Sequence, residues 1–332
     1  MIVLTLTPQD LTKLRFAFSP LWELVASVRA LRAPSEQAIH ASWTRRVREA
    51  VSPSDLAHLF ALVPAQGYAP NFLTPPPVTP FPDFPAELAA LRETPPEIVV
   101  ADIQEALAAH LVPDRARLTP YLTEPEVQLT ALVDVLERYW AVALAPEWSR
   151  VRRVLERDME WRARTLALYG PETLFAELHP LTKYRNGVLT VNLHHWHWEG
   201  TAAGRGLLLL PSVFAWPGLY ATVEEPWHPT LAYTAWGSAN LWWDEPPSLP
   251  QTAQVVLGER QAALLALLCV PMTTQELARR LNLTSSAISQ RVRALRAVGL
   301  VSSSRAGKFV WHQLSVRGLH VLHVVSNGED AP

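Results

Sequence analysis

The sequence predicts an α+β protein: a mostly helical N-terminal body with a β-rich part, followed by a compact C-terminal module of three helices and a hairpin. Three observations carry that prediction. Ser/Thr-Pro pairs and lone prolines repeatedly precede amphipathic stretches in the first half of the chain. Runs of β-branched and aromatic residues between turn formers replace them in the third quarter. Charge then separates sharply, because between residues 258 and 323 nine basic residues meet only two acidic ones. That stretch carries +7, and the remainder of a 332-residue chain with a net charge of −2 carries −9. A basic module joined to an acidic body is the charge layout of a nucleic-acid binder with a second, non-binding domain. With 49% hydrophobic and 18% charged residues, a packed core is expected and global disorder is not.

The elements follow in order. Residues 1–6 read as a short strand, and Thr7-Pro8 is a helix cap followed by a favoured first-turn residue. Ser19-Pro20 repeats the signal before Leu21, Leu24, Val25, Val28 and Leu31, which form one apolar stripe. Ser52-Pro53 opens a helix over 55–62. Residues 64–85 hold eight prolines, a density that argues against regular helix and for an extended segment wrapped over the body or a mobile lid. Residues 96–111, 125–144, 146–169 and 171–178 each begin at proline and read as helices. Residues 187–198, 206–214, 230–233 and 239–243 read as strands. The domain plan is a body over 1–245 (helical 1–180, strand-rich 181–245), a linker over 246–254, and the basic module over 255–325.

Cys269 is the single cysteine, so an intrachain disulfide and every thiolate-rich zinc site are excluded. The N-terminus has no basic region ahead of an apolar run, and the stretch from Leu207 is cut by Pro211 and Pro217 before it is long enough to span a bilayer. A soluble cytoplasmic protein with no membrane association is the expectation.

The module reads as a winged helix-turn-helix. An apolar helix over 259–270 leads to Thr274, which can cap a short helix over 275–281. Asn282-Leu283-Thr284 turns into a third helix over 285–298, in which Ile288, Val292 and Leu295 must face inward. Ser285, Ser286, Ser289, Gln290 and Arg293 are left on the outer face, where short hydroxyls, an amide and a guanidinium suit phosphates and base edges in a major groove. Gly299 ends the helix, and residues 300–314 form a hairpin tipped by Arg305 and Lys308. Residues 315–325 read as a final helix, and this segment and Leu264, Leu265 and Leu268 of the first helix fit either a dimer surface or the module core. The DNA-contacting set is therefore Thr274, Thr284, Ser285, Ser286, Ser289, Gln290, Arg291, Arg293, Arg305 and Lys308.

Thr274-Gln-Glu-Leu-Ala-Arg-Arg-Leu, Leu283-Thr-Ser-Ser-Ala-Ile-Ser-Gln-Arg-Val and Leu295-Arg-Ala-Val-Gly-Leu-Val resemble the winged-helix module of ArsR-like bacterial regulators over about 70 residues. The resemblance implies a homodimer that binds double-stranded DNA and acts mainly as a repressor. Metal-sensing members often carry a cysteine pair beside the second helix, and none is present here. Phe18-Ser-Pro-Leu-Trp-Glu-Leu, Gly204-Arg-Gly-Leu-Leu-Leu-Leu-Pro-Ser and Thr230-Leu-Ala-Tyr resemble the long N-terminal domain, of unassigned function, found in a subset of the same regulators.

Other signals are weaker. His194-His195-Trp196-His197-Trp198 alternates on a strand, so His195 and His197 share one face and would need Glu199 or His179 to complete a zinc site. An aromatic strand with solvated histidines is the simpler reading, and no metal or cofactor is expected. Trp196, Trp198, Trp216 and Trp236 are candidates to line an apolar cavity for a small-molecule effector, with ordinary core packing as the alternative. Two functions fit: a dimeric DNA-binding regulator, or an enzyme such as a metal-dependent hydrolase to which a winged helix is attached. The sequence has no Gly-x-Ser-x-Gly elbow and no phosphate loop, which favours the regulator.

Overall fold

The computed structural model describes residues 1–34, 38–65, 67–109, 114–179, 181–193, 197–215, 218–238, 241–242, 258–268, 272–306, 309–315, 317–318 and 321. These fall into two compact units, one drawn from residues 1–36 and 44–236 and the other from 37–43 and 237–332. The linker expected at 246–254 and most of the helix expected at 315–325 lie outside the described residues. No helix among the described residues is long and apolar enough to cross a membrane.

The first unit opens with β1 (Ile2–Thr5), α1 (Pro8–Thr12) and β2 (Arg15–Phe16). Its helices are α2 (Pro20–Arg32), α3 (Ala41–Ala50, in this unit from Thr44 on), α4 (Pro53–Leu62), α5 (Phe84–Arg92), α6 (Pro96–Ala108), α7 (Arg115–Leu118), α8 (Pro120–Thr123), α9 (Pro125–Ala143) and α10 (Trp148–Leu178). Cap chemistry sets their starts. The Ser19 and Ser52 hydroxyls and the Asp83 carboxylate accept from the amides of Trp22, Asp55 and Ala86, and a proline follows each cap within two residues. Thr7 and Asp10 form a reciprocal capping box. The two helices read at 146–169 and 171–178 appear as α10 with a break at Gly170, whose φ of 79° only glycine adopts readily.

Six strands follow: β3 (Thr182–Arg185), β4 (Val188–Val191), β5 (Trp198–Thr201), β6 (Leu208–Ser212), β7 (Leu219–Thr222) and β8 (Thr230–Thr234). One sheet has the order β3-β4-β1-β5, with β1 antiparallel to β4 and parallel to β5. The other has the order β2-β6-β8-β7, with β2, β6 and β8 parallel and β7 antiparallel. The core between them includes Ile2, Leu4, Leu174, Phe175, Leu189, Leu209, Leu231 and Tyr233. The strand read at 187–198 is thus two strands on opposite sides of β1, and 241–242, expected to be extended, form a turn. The short polar strands β2 and β3 and the strand β7 had no clear signal.

The proline-rich segment is a strap. Phe72 and Leu73 are fully buried in a 3₁₀ turn, Trp22 Nε1 donates to the Pro75 carbonyl at 3.3 Å, and the Phe18 amide donates to the Pro80 carbonyl at 3.2 Å. Its last residues include a helix start, because Pro85 occupies the first turn of α5, where a missing N–H costs nothing.

Buried carboxylates bind main-chain amides at the joints of this unit. Asp10 accepts from Thr7 and Gly206 amides at 2.8 and 3.0 Å. Gly206 cannot be replaced there, since a Cβ would sit 2.6 Å from the Lys13 carbonyl oxygen. Glu23 accepts from Val213 and Phe214 amides at 2.8 and 3.3 Å, joining α2 to the end of β6. Glu87 accepts from the Leu21 amide and the Ser19 hydroxyl, both at 2.8 Å. Burial pushes Glu23 and Glu87 each up to about 7, against hydrogen bonds that favour the charged form. In the unfolded chain both carboxyls ionise near their ordinary value, so the native state holds extra protons between about pH 4.5 and 7. The body should therefore lose stability as pH rises through that window, on the order of 3 kcal/mol per group at its upper end. Hydrogen-exchange protection of body amides at pH 5 and pH 8 measures this, and Glu23→Gln should flatten the slope.

Candidate nucleic-acid interface

The second unit contains α11 (Glu259–Leu267), β9 (Met272–Thr273), α12 (Thr274–Leu281), α13 (Ser285–Ala297), β10 (Val301–Ala306) and β11 (Phe309–Leu314). β10 and β11 form an antiparallel hairpin, and β9 adds to β11, giving the order β10-β11-β9. Leu264, Leu265, Leu268, Leu277, Ile288 and Val292 fill one apolar core, each 2% exposed or less. The three leucines of the first helix region are therefore interior residues of the module.

Two backbone turns fix α13. Asn282 adopts φ 52°, a left-handed value that asparagine tolerates, and the Leu283 amide closes back on the Ala278 carbonyl at 2.9 Å. Gly299 (φ 74°) ends α13, with its own amide bonded to Arg296 O and the Leu300 amide to Leu295 O, both at 2.9 Å. Thr284 caps the helix start by accepting from the Ala287 amide at 3.2 Å, and its hydroxyl also lies 3.0 Å from that of Ser286.

Between those turns Ile288, Val292 and Leu295 are buried and Ser285, Ser286, Ser289, Gln290 and Arg293 are exposed, the division that helical spacing predicts. Besides Thr284, which caps α13, two further members of the predicted set are engaged within the module. Arg291 is half-buried and donates to Gln261 Oε1 at 3.0 Å, and the Thr274 hydroxyl lies 2.8 Å from His312 Nε2. Arg305 lies in β10, and Lys308 lies outside the described residues. Arg279, Arg280 and Arg296 are exposed cations that the sequence pattern alone did not single out, and none is ion-paired with a described residue. They were legible only as part of the +7 balance.

His312 was not anticipated. It is buried between strands, with Nε2 at 2.8 Å from Thr274 Oγ1 and Nδ1 at 2.7 Å from Ser303 Oγ. A neutral imidazole has one donor and one acceptor, and two hydroxyls can satisfy both. The ring thereby ties the hairpin to the start of α12. Burial, with the positive charge of Arg296 adding to it, pushes His312 down to about 4.

The sequence model for "Bacterial regulatory protein, arsR family" matches residues 259–303, from the start of α11 into β10. This module is an arsR-family helix-turn-helix domain. A second model, for a family of unknown function (DUF5937), matches residues 100–238, from α6 through β8. No curated protein matches the chain.

Outside the arsR-family domain, Trp198 is half-buried against the sheet core, and the Trp236 ring lies 4.7 Å from that of Trp161. Trp196 and Trp216 lie outside the described residues, as do His194, His195 and Cys269. His197 is exposed, whereas His179 is buried and its Nδ1 accepts from the Leu181 amide at 3.2 Å. Among the described residues no three His, Cys, Asp or Glu side chains gather as a metal site.

The His312 arrangement has a consequence for pH. The unfolded histidine takes up a proton near pH 6.5 and the folded one only near 4, so the arsR-family domain should lose stability as pH falls through that interval. This slope is opposite in sign to that of the body. Amide exchange in α12 and β11, compared between pH 7 and pH 5, should show weakened protection that His312→Phe makes independent of pH.

Proposed function

We propose that this chain is a cytoplasmic transcriptional regulator, a repressor and not an enzyme, that binds duplex DNA as a homodimer and whose body senses a small molecule. The observation that carries the reading is the exposed face of α13, with hydroxyls, an amide and Arg293 on a rigid arsR-family scaffold beside a basic hairpin. In that reading α13 enters the major groove, Ser285, Ser286, Ser289 and Gln290 meet phosphates and base edges near its N-terminus, and Arg293 reads a base. Arg305 and Lys308 of the hairpin, with Arg279 and Arg280, neutralise phosphates. Thr274, Thr284 and Arg291 act mainly by holding the helices in place, through His312, the α13 cap and Gln261 respectively.

The charge balance supports an electrostatic interface. A dimer making about six to ten phosphate contacts loses roughly 10³–10⁵ in affinity between about 50 and 200 mM salt. Arg293→Ala is expected to relax sequence preference, while Lys308→Ala and Arg305→Ala weaken binding to all sequences alike. Selection of bound fragments from genomic DNA, followed by titration of one preferred and one scrambled site, separates these effects. The reverse pattern would exchange the roles assigned to helix and hairpin.

A single α13 covers only a few base pairs, and twofold symmetry doubles the contacts. The preferred site should therefore be an inverted repeat with half-site centres about 34–36 Å apart. Sedimentation of the full-length chain at DNA-binding concentrations should give a dimer mass. A monomer bound to a single half-site would defeat the homodimer. For sensing, a ligand must bind one arrangement of the protein more tightly than another, and a tenfold difference supplies about 1.4 kcal/mol of bias.

A further inference from the structure

The body contains a groove of about 460 Å³ whose walls come from three separate stretches of chain. One wall is the strand edge at Leu14–Ala17, the second is the strap at Pro77–Pro80, and the third is the α10 face carrying Ala163, Leu166 and Ala167. Leu208 adds an apolar contact from β6. The size falls within the range of small-molecule sites, about 300–1,000 Å³. Neither Trp198 nor Trp236 lines it.

Two features give the groove a chemistry. β2 is the edge strand of its sheet, and the Arg15 and Ala17 amides donate to β6 at 3.0 and 3.2 Å. Successive strand amides point to opposite edges, so the Phe16 and Phe18 amides face the strap. Phe18 donates to Pro80 O, and the β2–β6 register turns the Phe16 amide away from β6, toward the groove. The second feature is charge. Among the described residues Arg15 is the only charged one lining the groove; it is exposed, and no described carboxylate pairs with it. Its guanidinium instead lies 3.4 Å from His228 Nε2. The rim is apolar as well, with Val78 91% and Phe81 57% exposed.

We infer that this groove binds a small amphipathic organic acid, its aromatic or alicyclic part between the strap and α10 and its carboxylate at the Phe16 amide and Arg15. The occupancy itself stands on these contacts alone. Its consequence for DNA rests on the sensing role proposed above.

Calorimetric titration of the full chain with 4-biphenylcarboxylate and with neutral 4-biphenylmethanol tests the assignment. The acid is expected to bind at least about tenfold more tightly than the alcohol, because a charge-assisted pair is added to the same apolar contact. Arg15→Gln should erase that difference. Ala163→Phe, at an exposed helix position, should remove binding of both compounds without lowering the melting temperature. Equal affinity for acid and alcohol overturns the assignment, as does an Ala163→Phe protein that melts like wild type and still binds the acid. Should that variant fail to fold, Arg15→Gln decides alone. If Ala163→Phe instead turns a dimer into a monomer, the groove holds a second copy of the chain, which also overturns it. Acid binding that leaves DNA affinity unchanged keeps the groove and removes the sensing role.

Discussion

Burial of Ile288, Val292 and Leu295 is the constraint on which the candidate interface depends. These residues lie at i, i+4 and i+7, so sinking them into the module core fixes the rotation of α13 about its own axis. The composition of its outer face is a consequence, since Ser285, Ser286, Ser289, Gln290 and Arg293 are outside only because the stripe is inside. Rotation alone would not aim the helix. The Asn282 turn fixes where it starts and Gly299 where it ends, and both use left-handed backbone that continues poorly into helix. His312 then holds the hairpin against the start of α12. A surface preorganised in this way spends little ordering entropy on binding.

The first unit solves a different problem. Its sheets mix parallel and antiparallel neighbours, and parallel strands must be joined by long connections whose amides fall outside the ladder. Asp10, Glu23 and Glu87 accept from such amides at the ends of α1, α2 and β6. The three differ in the balance between burial and hydrogen bonding. For Asp10, burial works against the charge, but hydrogen bonds from Thr7, Gly206 and Gly204 outweigh it and hold the carboxyl below its usual range. For Glu23 and Glu87 burial wins and pushes both carboxyls up.

The helix starts at Ser19-Pro20 and Ser52-Pro53 were legible because their chemistry is local: a serine hydroxyl accepts from an amide three residues on, and proline follows where no N–H is needed, whereas α3 and the Asp83-capped α5 were not read. The interior stripe of α13 was legible for the same reason, as a periodicity within one segment. Strands fared worse. Arg15-Phe16 and Thr182–Arg185 contain charged residues and are strands only because β6 and β4 lie alongside them. Residues 241–242 have strand-like composition yet form a turn, so apolar and aromatic content alone did not decide. His312 was invisible because its two partners, Thr274 and Ser303, are far from it in sequence or on the opposite strand. The groove was the least legible feature of all. The proline segment suggested a cover, but its walls meet only when residues 14–17, 77–80 and 163–167 are brought together.

Within the body, α10 serves two surfaces at once. Ala163, Leu166 and Ala167 form a wall of the groove. One turn earlier Asp158 accepts from the Tyr233 hydroxyl at 2.6 Å and from the Trp236 amide at 2.9 Å, gripping the chain where β8 ends. The grip is buried, with Arg162 4% exposed and only loosely placed against Asp158 at 3.6 Å and Glu177 at 3.7 Å. Packed side chains on a helix move together, because interiors at crystal-like density transmit displacement instead of absorbing it. A displacement of α10 at the groove wall is therefore a displacement of Asp158 as well.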